Sequence, residues 1–303
     1  MANIRQDFME QRFLFILLFM TFIQVKAQED FSWWNEKHQW DGKTAWNQYM
    51  KYSTSYFGPN ALPVPDVMTG EIDTTASLEV AGEYHWSTGD KTKNIFVRGN
   101  LPLFSNRIAF SMDVVPIEWY ETDTITRDAR AARGRDGKGK AGGDIYFHTL
   151  INLIYNRENV PDIALRVTLR MASGTNLRNA RYTDSPGYFF DLSFGKNVSL
   201  SKDVILRAYT MSGFYVYQTN DLSHLQNDCI LFGLGADVHI RKIVISQSIG
   251  GYNGYLKLGD RPLVYRACVK LSFDRLAYSV LYQYGLRDYP FQKLRGSLIF
   301  KFN

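Results

Sequence analysis

The chain has 303 residues, of which 45% are hydrophobic and 15% aromatic, and its formal net charge is +5. This mild positive balance, without a run of Lys and Arg interleaved with aromatics, does not indicate a nucleic-acid-binding protein. Two cysteines are too few for a disulfide framework, and no spacing of His, Cys or carboxylates indicates a metal or cofactor site. The many Tyr and Phe are typical of the aromatic girdles of a membrane barrel.

The N-terminus has the features of an export signal. Largely apolar residues from Phe13 to Val25 follow a short charged stretch that ends at Arg12. This run is shorter than the roughly 20 apolar residues that a membrane-spanning helix needs, and small Ala27 closes it as a signal-peptidase site requires. We therefore predict a signal peptide over residues 1–27, cleaved after Ala27 during export through the Sec pathway.

Residues 28–72 do not alternate and are predicted to form a separate segment, rich in aromatics and then in proline. Asp41 is placed to cap a helix of about ten residues in which Trp46, Tyr49 and Met50 share one side. The proline-rich part must be extended. Three interpretations remain open: a periplasmic segment under the barrel mouth, a plug in the lumen, or a contact for other envelope proteins. The tryptophans expected at such a contact are Trp33, Trp34, Trp40 and Trp46.

Residues 73–303 contain segments of about ten residues in which apolar and polar side chains alternate, which is the pattern of a transmembrane barrel. In the fifth segment, Arg166 and Arg170 alternate with aliphatic residues, so the arginines must face a polar lumen. We predict an all-β, antiparallel, up-and-down barrel of about twelve strands. Two segments, 204–217 and 243–250, lack an apolar stripe, which a bulge or a protein-facing stretch would explain.

Loop lengths test this prediction independently, because outer-membrane barrels alternate short periplasmic turns with longer outer loops. The predicted inner turns are Phe104-Ser105-Asn106, Asn156 to Pro161, Lys196 to Lys202, His239 to Lys242, and Asp274-Arg275. The predicted outer loops include Glu118 to Gly143, Ser173 to Ser185, Gln218 to Asn227, and Gly250 to Pro262. Both ends of the barrel are then periplasmic. A soluble β-sandwich also alternates, but it does not explain this asymmetry.

Charged residues on the inward faces are the candidate site residues. The first and last strands are expected to pair opposite charges where the barrel closes. On the third to sixth strands, His148 between Asp191 and Arg170 would be placed for acid–base chemistry. The preferred interpretation is a salt-bridge network that fills the lumen. The predicted network comprises Glu79, Glu83, Asp113, His148, Arg166, Arg170, Asp191, Arg295 and Lys301.

The predicted outer loop from Glu118 to Gly143 is strongly charged, and its glycine-rich half is expected to be mobile. Its basic residues are candidates for contact with the anionic head groups of lipopolysaccharide or for a constriction in the mouth. A solvated surface loop is the alternative. The candidates are Arg127, Arg130, Arg133, Arg135, Lys138 and Lys140.

Two classes of barrel enzyme provide a comparison. Twelve-stranded outer-membrane phospholipases present a Ser/His pair to lipid, whereas no His in the predicted strands faces lipid. Twelve-stranded lipid A deacylases keep their catalytic group near the outer end, and the position of His148 resembles theirs in architecture alone. We therefore predict that the protein is not an enzyme.

The Ala-Gln-Glu sequence at the predicted cleavage site, the many Tyr and the Phe-Lys-Phe-Asn end resemble outer-membrane proteins of the Bacteroidota. The resemblance implies a barrel in the outer membrane, in contact with its lipid and lipopolysaccharide, and attaches no functional family. The sequence favours a structural or accessory subunit of an envelope assembly. A narrow channel for small polar solutes is the alternative, and a lipid A-modifying enzyme is a distant third.

Overall fold

The computed structural model describes residues 29–103 and 107–302. The predicted signal peptide and the predicted turn Phe104-Ser105-Asn106 lie outside the described residues. The chain divides into two compact units, of which the first ends at Gln39 and the second begins at Trp40. In the first unit, helix α1 spans Ser32–Lys37. Within the described ranges, no helix is long and apolar enough to cross a bilayer.

The second unit is a closed β-barrel. Neighbouring strands pair antiparallel throughout, and β1 pairs with β13 to close the sheet. In the described part of the chain twelve strands form the barrel, because β4 pairs only with the end of β3. This confirms the predicted twelve-stranded barrel. The strands are β1 (Ala76–Ser87), β2 (Asp90–Leu103), β3 (Ile108–Thr122), β4 (Lys138–Ala141), β5 (Tyr146–Ile154), β6 (Asp162–Arg170), β7 (Gly187–Ser201), β8 (Val204–Asp221), β9 (His224–Ile240), β10 (Ile243–Asn253), β11 (Leu263–Ser272), β12 (Leu276–Arg287) and β13 (Gln292–Phe302).

Alternation along the strands separates an apolar exterior from a charged interior. In β6, Leu169 is 54% exposed on the outer face, while Arg166 is 5% exposed on the inner face. In β13, Leu294 and Phe300 likewise face outward. A continuous apolar exterior of this kind is unfavourable in water and is solvated by lipid. The protein is therefore an integral β-barrel of the outer membrane.

The two ends of the barrel carry different connections. β1 begins and β13 ends at the end with short turns, such as Lys202 and Asp203 between β7 and β8. That turn is shorter than the predicted span from Lys196 to Lys202, because β7 continues to pair with β8 as far as Ser201. Long connections, including residues 123–145 and 171–186, lie at the opposite end. We define these as the inner, periplasmic end and the outer end, respectively.

Two predicted features of the outer end are wrong. Residues Gln218 to Asn227 are not a loop, because β8 extends to Asp221 and β9 begins at His224. The predicted loop from Glu118 to Gly143 begins too early, because β3 extends to Thr122; helix α2 (Thr124–Ala129) follows, and the glycine-rich half contains β4. In both places, backbone hydrogen bonds to an adjacent strand outweigh the local turn signals.

The predicted ten-residue helix before the barrel is also wrong. Between Asp41 and β1 the described residues form only one 3₁₀ turn, Trp46–Tyr49. Asp41 caps a tight turn instead, and its Oδ1 accepts the Thr44 amide at 2.7 Å. Asn220 Nδ2, in the hairpin between β8 and β9, donates to Met50 O at 3.3 Å. Residues 40–50 therefore include a contact with the outer end of the barrel.

Residues 52–72, which we name the lumen segment, run through the barrel from the outer end to the inner end. At the outer end, Ser53 Oγ donates to Leu258 O at 2.8 Å. At the inner end, just before β1, Asn100 Nδ2 donates to Thr75 O at 2.9 Å. These contacts favour the plug interpretation over a segment packed below the barrel mouth.

The two strands without an apolar stripe, β8 and β10, are adapted to the lumen segment. Small inward residues on β9 and β10 make room for it: a Cβ built at Gly233 or at Gly250 would lie 2.6 or 2.8 Å from Val67 Cγ2. On β8, the inward Met211 and Tyr215 are almost completely buried. The weak pattern therefore marks a protein-facing stretch, one of the two predicted explanations.

Candidate functional site

Arginines of the barrel wall hold the lumen segment by its backbone. They lie on β6, β8 and β11, and all are buried. Pro63 and Pro65 keep the segment extended and outside any helix or strand, so its carbonyls remain available to accept from guanidinium groups. The bonds join Arg170 Nη1 to Ala61 O (2.8 Å), Arg266 Nη2 to Val64 O (2.6 Å), Arg266 Nη1 to Pro65 O (3.1 Å), Arg166 Nη2 to Asp66 O (2.9 Å) and Arg207 Nε to Thr69 O (3.0 Å).

One side of the lumen also packs on the segment through apolar contact. Leu62 and Val64 are buried in a cluster with inward residues of the wall. The rings of Tyr215 and Tyr252 meet edge to face in this cluster, with centroids 5.1 Å apart. The wall contributes Phe189, Met211, Tyr215, Tyr217, Cys229, Leu231, Tyr252 and Val264, and the connection between β12 and β13 contributes Tyr289 and Phe291. This side anchors the segment.

The other side of the lumen leaves a cavity of about 110 Å³ beside the segment. Its charged lining includes Glu83, Arg98, Asp113, Arg266, Lys293 and Arg295 from the wall. The side chains of Arg98 and of Asp66, from the lumen segment, are 33% and 42% exposed. Water can therefore reach Arg98 and Asp66, whereas Glu83 and Arg266 in the same lining are almost completely buried.

Asp66 lies between two wall arginines. Its Oδ2 is 3.3 Å from Arg98 Nη2, and its Oδ1 is 3.6 Å from Arg266 Nε. Arg98 also donates through Nε and Nη2 to both carboxylate oxygens of Asp113, each at 2.7 Å. The two arginines differ in that Arg98 has a strong partner on the wall, whereas the nearest oxygen that Arg266 meets on the wall is the amide of Gln283, at 2.8 Å.

The structure places the predicted acid–base group differently. His148 Nδ1 is 2.8 Å from Thr168 Oγ1, and its Nε2 is 3.4 Å from Asp113 Oδ2. Asp191 pairs with Arg166 at 2.8 Å, and Arg170 bonds to backbone carbonyls. The predicted position of His148 between Asp191 and Arg170 is therefore wrong, because the sheet register sets His148 opposite Thr168.

At the closing seam, Glu83 Oε1 accepts from Arg295 Nε at 2.6 Å and lies 3.2 Å from Lys293 Nζ. Glu79 Oε1 is 4.0 Å from Arg295 Nη1. The predicted contact of Lys301 with these glutamates is wrong. Lys301 pairs with Ser77 in the register and donates to a backbone carbonyl at the inner rim.

At the outer end, a buried charge network ties the two longest connections to β2 and β3. Asp90 Oδ2 accepts from Arg130 Nη1 at 2.6 Å and from Arg181 Nη1 at 2.8 Å. Arg181 Nε donates to Glu118 Oε1 at 2.8 Å, and the Tyr182 hydroxyl donates to Glu118 Oε2 at 3.0 Å. Burial, together with the Glu118 carboxylate, raises the pKa of Tyr182 well above its ordinary value.

The basic residues predicted to contact external anions have different environments. Arg130 is 3% exposed and paired with Asp90, so it cannot meet an external anion, contrary to the prediction. The guanidinium of Arg133 lies over the rings of Trp40 and Trp46, 5.7 and 5.9 Å from their centroids. Arg127 is half-buried, and its Nη2 lies 2.8 Å from Asp128. The exposed members are Arg135, Lys138 and Lys140.

Three further groups of residues are the tryptophans of the first unit, the cysteines and the possible metal ligands. Trp33 and Trp34 lie in α1, in the first unit. Cys229 and Cys268 are free thiols. Among the residues that the structure describes, no group of His, Cys and carboxylates is arranged to hold a metal ion.

The sequence reasoning missed several residues of the site. Arg98 and Arg266 lie at even spacing from the inward residues of their strands. Because every second side chain of a strand faces the same side, the alternation predicts that both face the lumen. Asp66 and Arg181 lie in irregular segments, where no periodicity predicts the direction of a side chain.

No protein-family model and no curated protein sequence matches this chain. Among solved structures, an outer-membrane channel from Pseudomonas putida F1 is similar, with a TM-score of 0.54 and 11% identity, covering 79% of this chain and 100% of that chain. The KdgM porin has a TM-score of 0.44 and 10% identity over 74% of this chain and 99% of its own. The NanC porin has a TM-score of 0.46 and 13% identity over 74% and 100%. The likeness to the channel shows the fold alone, a twelve-stranded outer-membrane β-barrel.

Proposed function

We propose that the protein is a channel for small polar solutes whose lumen is closed by the lumen segment. The observation that carries the proposal is the asymmetric seating of this segment: apolar packing on one side, a hydrated charged cavity on the other. Arginine bonds to backbone carbonyls can be exchanged for water or solute oxygens without a chemical change in the protein. A channel fold in a known outer-membrane protein accords with this proposal.

A disulfide between Val67 and Gly233 tests whether the segment must move. A Cβ built at Gly233 lies 3.3 Å from Val67 Cβ, close to the Cβ separation of a disulfide. We would introduce Val67→Cys and Gly233→Cys in the full chain, with both native cysteines replaced by alanine. In planar bilayers, the oxidised protein is expected to show no conducting events, and the reduced protein to show them.

The matched controls are the two single-cysteine variants, which cannot form the crosslink and should conduct equally with and without reductant. Equal conductance of the double variant in its oxidised and reduced forms would contradict the proposal, because solute would then pass without any movement of the segment.

A second candidate function is a structural or accessory subunit of an envelope assembly. The buried arginine bonds favour it, since they are compatible with a segment that never leaves the lumen. This function predicts no conductance in either redox state and a protein partner that stays bound during mild detergent extraction. Residues 40–50 and the exposed basic residues of the outer end would be the surfaces to test by crosslinking.

A further inference from the structure

We infer that the cavity beside the lumen segment is a binding site for small solutes with an anionic oxygen group, a carboxylate or a phosphate, and that the Asp66 carboxylate occupies this site in the closed lumen. The inference deepens the proposed channel and rests on it for the route by which a solute arrives. The charge and geometry of the wall are the evidence.

The wall around the cavity presents cations more strongly than anions. Arg98 and Arg295 keep carboxylate partners on the wall, Asp113 and Glu83. Arg266 does not: within the described ranges, the carboxylate that lies within 4 Å of Arg266 is that of Asp66, at 3.6 Å. Withdrawal of the lumen segment would therefore leave Arg266 facing the open lumen without an anionic partner.

An anionic solute would restore that balance. Arg98 and Arg266 approach Asp66 from two directions, through Nη2 and Nε, so they mark where the oxygens of a carboxylate or phosphate would lie. Guanidinium groups bind both classes of anion through charge-assisted hydrogen bonds. The exposed fractions of Arg98 and Asp66 show that the site has room for water and hence for small polar groups. Asp66 thus acts as an internal competitor.

The test first removes the charge of Asp66 and then the guanidinium of Arg266. Asp66→Asn keeps the shape of the side chain and removes its charge. In the full-length protein in a zwitterionic buffer, calorimetric titration with inorganic phosphate and with acetate should show at least one anion binding about tenfold more tightly to this variant than to the wild type. Adding Arg266→Gln should abolish the gain, while Arg266→Lys should retain part of it.

The matched controls are Asp203→Asn and Arg241→Gln, which break an exposed ion pair of 3.2 Å at the inner end and should leave anion binding unchanged. The inference is wrong if Asp66→Asn binds neither anion more tightly than the wild type, or if the gain survives Arg266→Gln. Calorimetry measures binding independently of conductance. Tighter anion binding to Asp66→Asn in a protein that does not conduct would contradict the proposed channel but support the anion site. Conductance without tighter anion binding would support the channel and contradict the anion site.

Discussion

The two sides of the lumen handle the same inserted segment in different ways. The side with Tyr215 and Tyr252 buries Leu62 and Val64 in an apolar cluster. The side with Arg98 meets the segment through charge, across a space that water enters. Apolar packing holds in one geometry, whereas hydrogen bonds to charged groups can be exchanged for bonds to water. The difference indicates that apolar packing fixes the segment along one wall, while exchangeable polar contacts hold it along the other.

The largest difference in unfolding free energy between the two sides should appear when one arginine on each side is replaced by methionine. Arg170 is 1% exposed and lies 4.0 Å from buried Asp144, whose pKa is raised by burial. Arg170→Met removes the buried bonds to Ala61 O and Ser185 O together with the cation nearest to Asp144, and is expected to cost about 3–5 kcal/mol of unfolding free energy. Arg98→Met, on the other side, should cost about 1–2 kcal/mol, because Arg98 is 33% exposed and His148 still lies 3.4 Å from Asp113.

Urea unfolding of the two variants in detergent micelles measures both costs. Equal losses of free energy would remove the distinction between a dry and a hydrated side.

The anchoring side should respond next most strongly to the loss of apolar volume. Leu62→Ala leaves a cavity in the buried cluster and should lower the unfolding free energy by about 2–4 kcal/mol. The matched control is Leu101→Ala, because Leu101 is 56% exposed on the outer face. A loss at Leu101 as large as that at Leu62 would show that the cluster does not anchor the segment.

A smaller effect than at Leu62 is expected from adding volume where the segment approaches the wall. Gly250→Val would force the wall against Val67 and should cost about 1–3 kcal/mol. A Cβ at Gly82 would meet no atom within 4 Å, so Gly82→Ala serves as a control with little expected change. The same urea assay measures the change in unfolding free energy for both variants. A neutral Gly250→Val would mean that β10 does not contact the segment.

The barrel could be predicted from the sequence because a two-residue period, repeated strand after strand, fixes which side chains face lipid. Arg166 and Arg170 illustrate this, since both were placed inward by alternation alone and both are buried. The hairpin from Gln218 to Asn227 is not predicted, because its strands continue past the apolar part of the barrel. There, the alternation of polar and apolar residues no longer indicates which side chains are buried.

The site was predictable only in part. The charges of the wall follow from strand phase, but the partners of His148 and Lys301 depend on register, which the alternation of one strand does not specify. The position of Asp66 depends on the path of a segment without any period. The glycines at 233 and 250 were a usable signal, because inward glycines in a strand often mark the close approach of another backbone.

The most direct test of the account is crosslinking of the lumen segment to the wall in native outer membranes. In a chain without its native cysteines, Val67→Cys with Gly233→Cys should form a disulfide in nearly every molecule, detected by mass spectrometry of proteolytic fragments. Val67→Cys with Leu234→Cys is the matched control, because Leu234 is 60% exposed on the outer face of the same strand. Crosslinking at 233 and none at 234 is the predicted result. Absence of the Val67–Gly233 crosslink in folded protein would contradict a lumen occupied by this segment.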